Sequence, residues 1–179
     1  MTSHTTTHGG EEEMRAMLPS RYHWNEDSLA AMMRPELSPA MARFIAAQPF
    51  FFIATADAGG ACDASFRGRD YDASGPLPAL IVNDPRHIIF PDFEGNGLYN
   101  SLGNLRVNPQ IGMLFIDFER QRRVRVNGTA GLRRPTPLDA TIWPAAQAVI
   151  EVTVAQAYGN CSARIPRLRM VPDSDAPFS

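Results

Sequence analysis

Apolar residues recur at every second position along much of the chain, which is the pattern of a strand with one buried face. Val124 and Val126 alternate with Arg123, Arg125 and Asn127. Residues 110–118 and 148–157 alternate in the same way. Several short strands separated by turn signals predict a mainly β fold, an antiparallel closed β-barrel with accessory helices.

Residues 50–56 differ, because their apolar run FFFIATA is nearly continuous and predicts a strand buried on both faces. The turn DAGG at 57–60 predicts a hairpin into a second strand at 61–67. Residues 68–77 are predicted to form a loop. A further strand pair is expected at 79–82 and 87–90, around a turn at 83–86.

Helical signals lie before and between these strands. Ser38 is a favourable N-cap before Pro39, and Met41, Phe44 and Ile45 then form one apolar face. The sequence thus predicts four segments: a disordered tail at 1–13, a helical extension at 14–48, the barrel domain at 49–170 and a C-terminal tail at 171–179.

Composition narrows the chemistry. All 17 basic residues are arginine, which excludes a lysine Schiff base. The formal charge of −2 argues against a nucleic-acid-binding protein, and Cys62 and Cys161 suggest neither a metal site nor a disulfide framework. The N-terminus lacks the pattern of a signal peptide, and no apolar run approaches the ~18 residues of a membrane span. We therefore expect a cytoplasmic protein without membrane partners.

Two segments carry groups that suit an anion. Gly95-Asn96-Gly97 leads into a short predicted helix whose first turn holds Asn100 and Ser101, so backbone N–H groups and the helix dipole could face a phosphate. Ser65 and Arg67 share one face of a strand and could grip the same group. Asn and Ser at a helix start are also common caps, and Arg67 could simply be an exposed strand-end arginine.

Two further segments are candidates for a functional site. Arg123, Arg125 and Asn127 share a polar strand face, which is either solvated or turned towards a ligand. Cys161 and Arg164 lie in a polar C-terminal segment, where Cys161 is either a buried packing residue or a reactive thiol.

The order of these motifs over about residues 40–168 resembles the pyridoxamine 5'-phosphate oxidase-related FMN-binding proteins of the FMN-binding split β-barrel superfamily. The resemblance implies a Greek-key-like antiparallel split barrel at 49–170, a homodimer with FMN at the interface, and an FMN-dependent oxidoreductase acting on a small molecule. It also implies that the cofactor contacts come from these positions: Ser65, Phe66, Arg67, Phe90, Pro91, Asn100, Ser101, Arg125, Asn127, Cys161 and Arg164.

The chain departs from the family at two points. The short helix lacks the arginine or lysine found in many members, so Arg67 would be the main charged phosphate ligand, or Arg106 would replace it. The His-and-Arg substrate pattern of vitamin B6 oxidation is not evident. The alternatives are a reductase that binds the deazaflavin F420 and a non-catalytic flavin- or haem-binding protein, for which His87 is the nearest candidate ligand.

Overall fold

A computed structural model describes residues 7–160 and 162–169. The helices are α1 (Gly9–Met17), α2 (Glu26–Met32), α3 (Pro39–Ala46), α4 (Asn100–Val107) and α5 (Pro137–Ile142). The strands are β1 (Phe50–Ala56), β2 (Cys62–Gly68), β3 (Tyr71–Asp72), β4 (Gly75–Pro76), β5 (Ile81–Asp84), β6 (His87–Phe93), β7 (Gln110–Asp117), β8 (Arg122–Arg133) and β9 (Ala146–Asn160). The predicted mainly β fold with accessory helices is therefore confirmed.

Seven strands form one antiparallel sheet in the order β2-β1-β7-β8-β9-β6-β5. The hairpin predicted after β1 is present, and the Asp57 carboxylate accepts hydrogen bonds from the backbone N–H groups of Gly59 and Ala61 at 2.8 and 2.9 Å. Such a side-chain bond is the reason that Asp favours turns. The long connection from β2 to β7 carries β5, β6 and α4, so that β6 pairs with β9 at the far side of the sheet.

The sheet curls on itself around the core. Three strands separate β1 from β6 in the sheet, yet the ring centroids of Phe51 and Phe90 lie only 5.2 Å apart. The ring centroid of Phe115 lies 5.3 Å from that of Phe51. All three rings are fully buried. In the described part of the chain, no ladder joins the edge strands β2 and β5, so the barrel is split along this seam rather than closed.

Helix α3 closes one part of this core as the sequence predicts. The Ser38 hydroxyl accepts a hydrogen bond from the Met41 N–H at 3.2 Å, and Pro39 occupies the first turn. Ile45 is fully buried, with Met41 and Phe44 packed against the same cluster. No described helix is long and apolar enough to cross a membrane.

Four features differ from the predictions. Helix α1 begins inside the expected tail and buries no residue. The loop at 68–77 contains the β3-β4 ribbon, and α5 was not predicted. Strand β1 is buried on one face only: Phe50 and Phe52 remain partly exposed on its outer face, where they pack with Phe66 rather than with a second layer.

An ion-pair network anchors α5 to the sheet. Asp139 is only 3% exposed, and its carboxylate accepts a hydrogen bond from Arg133. It also accepts hydrogen bonds from the Thr136 N–H at 2.7 Å and from the Thr136 hydroxyl at 2.6 Å. Arg133 also donates to Glu151 at 2.6 Å. The adjacent Arg133 guanidinium and the Thr136 donors hold the pKa of Asp139 well below its usual range, despite the burial that opposes this.

Candidate functional site

A polar cavity of about 380 Å³ opens between β2, the end of β6 and the start of α4. Its volume lies in the range of small-molecule sites. It is the place where the seam of the split barrel meets the glycine-rich turn. The lining residues are Asp63, Ala64, Ser65, Arg67, Asp92, Phe93, Gly95, Asn96, Gly97, Leu98, Tyr99, Asn100, Ser101, Leu102 and Gln147.

Strand β2 turns Asp63, Ser65 and Arg67 to one face, because alternate residues of a strand point the same way. The Arg67 guanidinium forms an ion pair with Asp92 of β6, which links the two sides of the seam. Asp92 is 5% exposed and also accepts a hydrogen bond from the Gln147 amide at 2.8 Å. The Arg67 side chain is 18% exposed, and its Nε atom is buried without a hydrogen-bond partner.

The opposite wall is the beginning of α4. Gly97 has φ +75°, a conformation that favours glycine, and Tyr99 at the N-cap position has φ +54°. The Tyr99 side chain makes no capping hydrogen bond, so the first N–H groups of α4 lack a side-chain acceptor from the N-cap. These donors, with the positive end of the helix dipole, lie at a wall built by Asn100 and Ser101.

The charge of the cavity is mixed. The buried Ser101 hydroxyl donates to the Asp63 carboxylate at 3.0 Å, which ties α4 to β2 and leaves that hydroxyl no proton for another acceptor. Asp63 and Asp92 together outnumber the single guanidinium of Arg67. The wall therefore combines anion-binding donors with two carboxylates, and any bound anion would compete with Asp92 for Arg67.

The cavity thus brings together four of the predicted cofactor contacts, Ser65, Arg67, Asn100 and Ser101. The other predicted positions lie elsewhere. Phe66 is 60% exposed on the outer face of β2, whereas Phe90 and Pro91 are buried and do not line the cavity. Arg106, proposed as a substitute ligand, is exposed and also outside the lining.

The remaining predicted positions belong to the far side of the sheet or to the C-terminal segment. Arg125 is exposed on β8, and the Asn127 amide donates to Gln156 at 3.2 Å. Arg164 is exposed with φ +66°. Cys161 lies outside the described residues. In this single chain none of these three described residues lines the cavity between β2 and α4.

Three carboxylate or amide side chains of the lining were not predicted from the sequence: Asp63, Asp92 and Gln147. Asp63 could have been found, because it precedes Ser65 by two residues and so shares its strand face. Asp92 and Gln147 reach the cavity only because β6 pairs with β9, with Asp92 opposite Ala148. No local pattern in the sequence signals that pairing.

Gly128, which follows Asn127 in β8, is required by the packing of the strands. A β-bulge separates Asn127 from Gly128 in the β8-β9 ladder. A Cβ atom at Gly128 would lie 2.1 Å from the carbonyl oxygen of Thr153, so only glycine allows this close approach of the two strands. His87, the candidate haem ligand, is exposed at the β5-β6 turn, where its Nδ1 atom lies 2.8 Å from Asp84.

Two solved structures share this fold. HupZ of Group A Streptococcus matches with a TM-score of 0.52 at 21% identity, over 69% of this chain and 93% of HupZ. A Lactobacillus delbrueckii protein provisionally assigned as a pyridoxamine 5'-phosphate oxidase matches with a TM-score of 0.53 at 16% identity, over 71% of this chain and 98% of that protein. At these identities the likeness establishes the fold alone.

A more distant match is HutZ, a haem storage protein of Vibrio cholerae, with a TM-score of 0.42 at 16% identity, over 68% of this chain and 93% of HutZ. No curated protein sequence matches the chain significantly. The family model for pyridoxamine 5'-phosphate oxidase matches residues 37–170, which is most of the chain and includes every residue of the cavity wall. The chain therefore belongs to the pyridoxamine 5'-phosphate oxidase family.

Proposed function

We propose that the cavity between β2 and α4 binds the phosphate end of FMN and that the protein is an FMN-dependent oxidoreductase acting on a small molecule. The observation that carries the proposal is the meeting of two separate predicted anion-binding segments, Ser65/Arg67 and Asn100/Ser101, at one cavity. These segments are more than thirty residues apart, so their meeting was not implied by either one.

The donors of the cavity fit a phosphate. Arg67 offers a planar fork with five N–H donors, of which one is engaged by Asp92 and the buried Nε has no partner. Asn100 contributes an amide, Ser65 a hydroxyl, and the start of α4 its free backbone N–H groups. Asp92 supplies the counter-charge that keeps Arg67 in place when no anion is present.

Bound FMN supplies hydride or electron transfer at its isoalloxazine ring. The role of the protein is to bind and orient the cofactor. Arg67 and Asn100 hold its anionic end, and the glycine-rich turn at 95–97 allows the backbone to approach it closely. The absence of a dinucleotide-binding G-x-G-x-x-G segment favours FMN over FAD.

The same proposal includes a homodimer, which an aromatic cluster on the outer face of the sheet supports. The rings of Phe50, Phe66 and Phe118 stack, with Phe50 lying 5.4 Å from Phe66 and 6.4 Å from Phe118. Phe52 packs edge-on against Phe66 at 5.9 Å. An exposed aromatic patch of this kind is typical of a protein interface, and a second copy of the chain is the occupant we propose.

The dimer is tested by sedimentation velocity. Phe66→Ser removes the most exposed ring of the patch and should shift the protein towards monomer, whereas Tyr71→Ser, at a similarly exposed ring of the separate β3-β4 ribbon, should not. An unchanged dimer in both variants would contradict this interface.

The cofactor is tested by calorimetric titration of the cofactor-free protein with FMN, FAD, F420 and haemin, together with the visible spectrum of the protein as purified. We expect FMN to bind most tightly and the spectrum, if pigment is retained, to be that of oxidised flavin. Tighter binding of F420 would favour the deazaflavin reductase. Tighter binding of haemin, or a Soret band, would favour the haem-binding alternative.

A further inference from the structure

A second and larger cavity, of about 1010 Å³, lies between the N-terminal extension and the end of β9. It shares no lining residue with the cavity between β2 and α4. Its wall is mostly aromatic, methionine and aliphatic, and it is formed by Glu11, Arg15, Ala16, Met17, Leu18, Pro19, Ser20, Tyr22, His23, Trp24, Leu29, Met32, Met33, Tyr158 and Asn160. The flavin proposal makes no use of it.

The extension around this cavity leaves its apolar side chains uncovered. Helix α1 buries no residue, and Leu29 is the only buried residue of α2. Tyr22 and Trp24 remain 58% and 40% exposed, with their rings stacked 6.3 Å apart at 25°. Two nearly parallel aromatic rings at a cavity wall form a surface on which a third planar ring can pack.

The extension is nevertheless fastened to the sheet beside the cavity. Arg34 and Ala157 exchange two backbone hydrogen bonds, of 3.3 and 2.7 Å, in an isolated antiparallel bridge. Tyr158, the next residue of β9, lines the cavity. The extension is therefore held against β9 next to Met32 and Met33, which line the cavity, as a binding site requires.

Two buried polar atoms, where the end of β9 pairs with the start of β8, lack hydrogen-bond partners among the described residues. Asn160 lines the large cavity and also a neighbouring one of about 390 Å³, which Arg123 lines as well. The two residues are directly opposite in the β8-β9 ladder, yet the Asn160 Oδ1 and Arg123 Nε atoms each make no hydrogen bond within the described protein. Buried polar groups are normally paired, so the unmet Asn160 acceptor at the wall of the large cavity indicates a missing hydrogen-bond donor, whereas Arg123 lines only the neighbouring cavity.

We propose that this cavity binds a planar aromatic molecule that carries a lactam or carboxamide N–H at its edge. Its ring packs on the Tyr22-Trp24 stack, and Met32 and Met33 adapt to its outline because methionine is flexible and polarisable. Its N–H donates to Asn160, which lines the cavity and whose amide turns about a soft torsion to meet it. This site functions independently of the flavin cavity.

The test is calorimetric titration of the full chain with 2-quinolone, a planar lactam, and with 1-methyl-2-quinolone, which lacks the N–H. We expect 2-quinolone to bind about fivefold more tightly, the ratio of one hydrogen bond. In Asn160→Ala this ratio should fall to about one. Trp24→Ala should weaken both probes, whereas Tyr71→Ala should weaken neither. Tyr71 is a suitable control because it resembles Tyr22: the two are 54% and 58% exposed, and each ring has an arginine over it.

Three results would overturn the proposal. They are no binding of either probe at millimolar concentration, equal affinities for the two probes, or binding that Trp24→Ala leaves unchanged. Sedimentation of the same variants identifies the rival occupant: if Trp24→Ala alters self-association and no probe binds, the extension covers a second copy of the chain instead. The probe titrations are made in the presence and absence of saturating FMN, so that a failure of this site is distinguished from a failure of the flavin proposal.

Discussion

The close packing of strands at the β-bulge beside Gly128 allows a quantitative prediction of stability. A Cβ atom there would lie 2.1 Å from the Thr153 carbonyl oxygen and 3.0 Å from its carbonyl carbon. The distance to the oxygen is more than 1 Å shorter than the roughly 3.5 Å of a favourable contact. The obstacle is backbone, so it cannot rotate away. We expect Gly128→Ala to cost about 3 kcal/mol, the upper end for overpacking, and to lower Tm by about 6–12 °C for a chain of this size.

Thermal unfolding followed by circular dichroism measures this shift. Gly131→Ala, three residues later in β8, is the matched control, because nothing lies within 4 Å of its added Cβ. It should leave Tm unchanged or raise it, since alanine is about 0.5–1 kcal/mol more favourable than glycine in a strand. A Gly128→Ala variant with the wild-type Tm would refute the close approach. A variant of normal Tm that had lost FMN would show instead that Gly128 contacts the cofactor.

Further predictions concern charge. Asp139→Asn should destabilise the protein by about 3 kcal/mol. This is the low end for breaking a buried ion pair, because Glu151 still compensates the charge of Arg133. As a control, Arg120→Ala removes a pair whose arginine is exposed and should cost less than about 1 kcal/mol. Since the pKa of Asp139 is depressed in the folded state, its contribution to stability is complete above about pH 4 and declines as the pH falls further. Urea unfolding should therefore show that the free energies of unfolding of the wild type and of Asp139→Asn converge in acid. Asp63→Asn keeps an acceptor for Ser101 but removes a negative charge, and should tighten FMN about fivefold while leaving riboflavin unchanged. Weaker FMN binding by Asp63→Asn would mean that the carboxylate, through Ser101, holds the start of α4 in the position that binds the phosphate.

The sequence predicted what depends on local patterns. Alternation placed Val124 and Val126 in the core, and the Ser38-Pro39 pair marked the start of α3, because both signals are contained within a few residues. It also placed Ser65 and Arg67 on one face of β2. The Thr136 cap and Asp139 that begin α5 are a comparable signal, a capping box, which the sequence reasoning did not use.

What the sequence could not predict depends on how the sheet curls. The Arg67-Asp92 pair crosses the seam between β2 and β6, strands that share no ladder, so nothing near either residue indicates the other. Strand β1 was expected to be buried on both faces because an aromatic run does not reveal whether a second layer of the same chain covers it. Its outer rings instead form the patch that we propose as a dimer interface.

The central claim is that Arg67 and the start of α4 hold the phosphate of FMN, and one comparison tests it most directly. FMN and riboflavin are titrated calorimetrically into the wild-type protein, into Arg67→Ala and into Arg69→Ala, whose arginine lies outside the cavity. A charged hydrogen bond contributes ~1.5–3 kcal/mol, so the wild type and Arg69→Ala should prefer FMN over riboflavin by about ten- to hundredfold. Arg67→Ala should lose most of that preference while it still binds riboflavin. An equal preference for FMN in all three proteins would contradict the account.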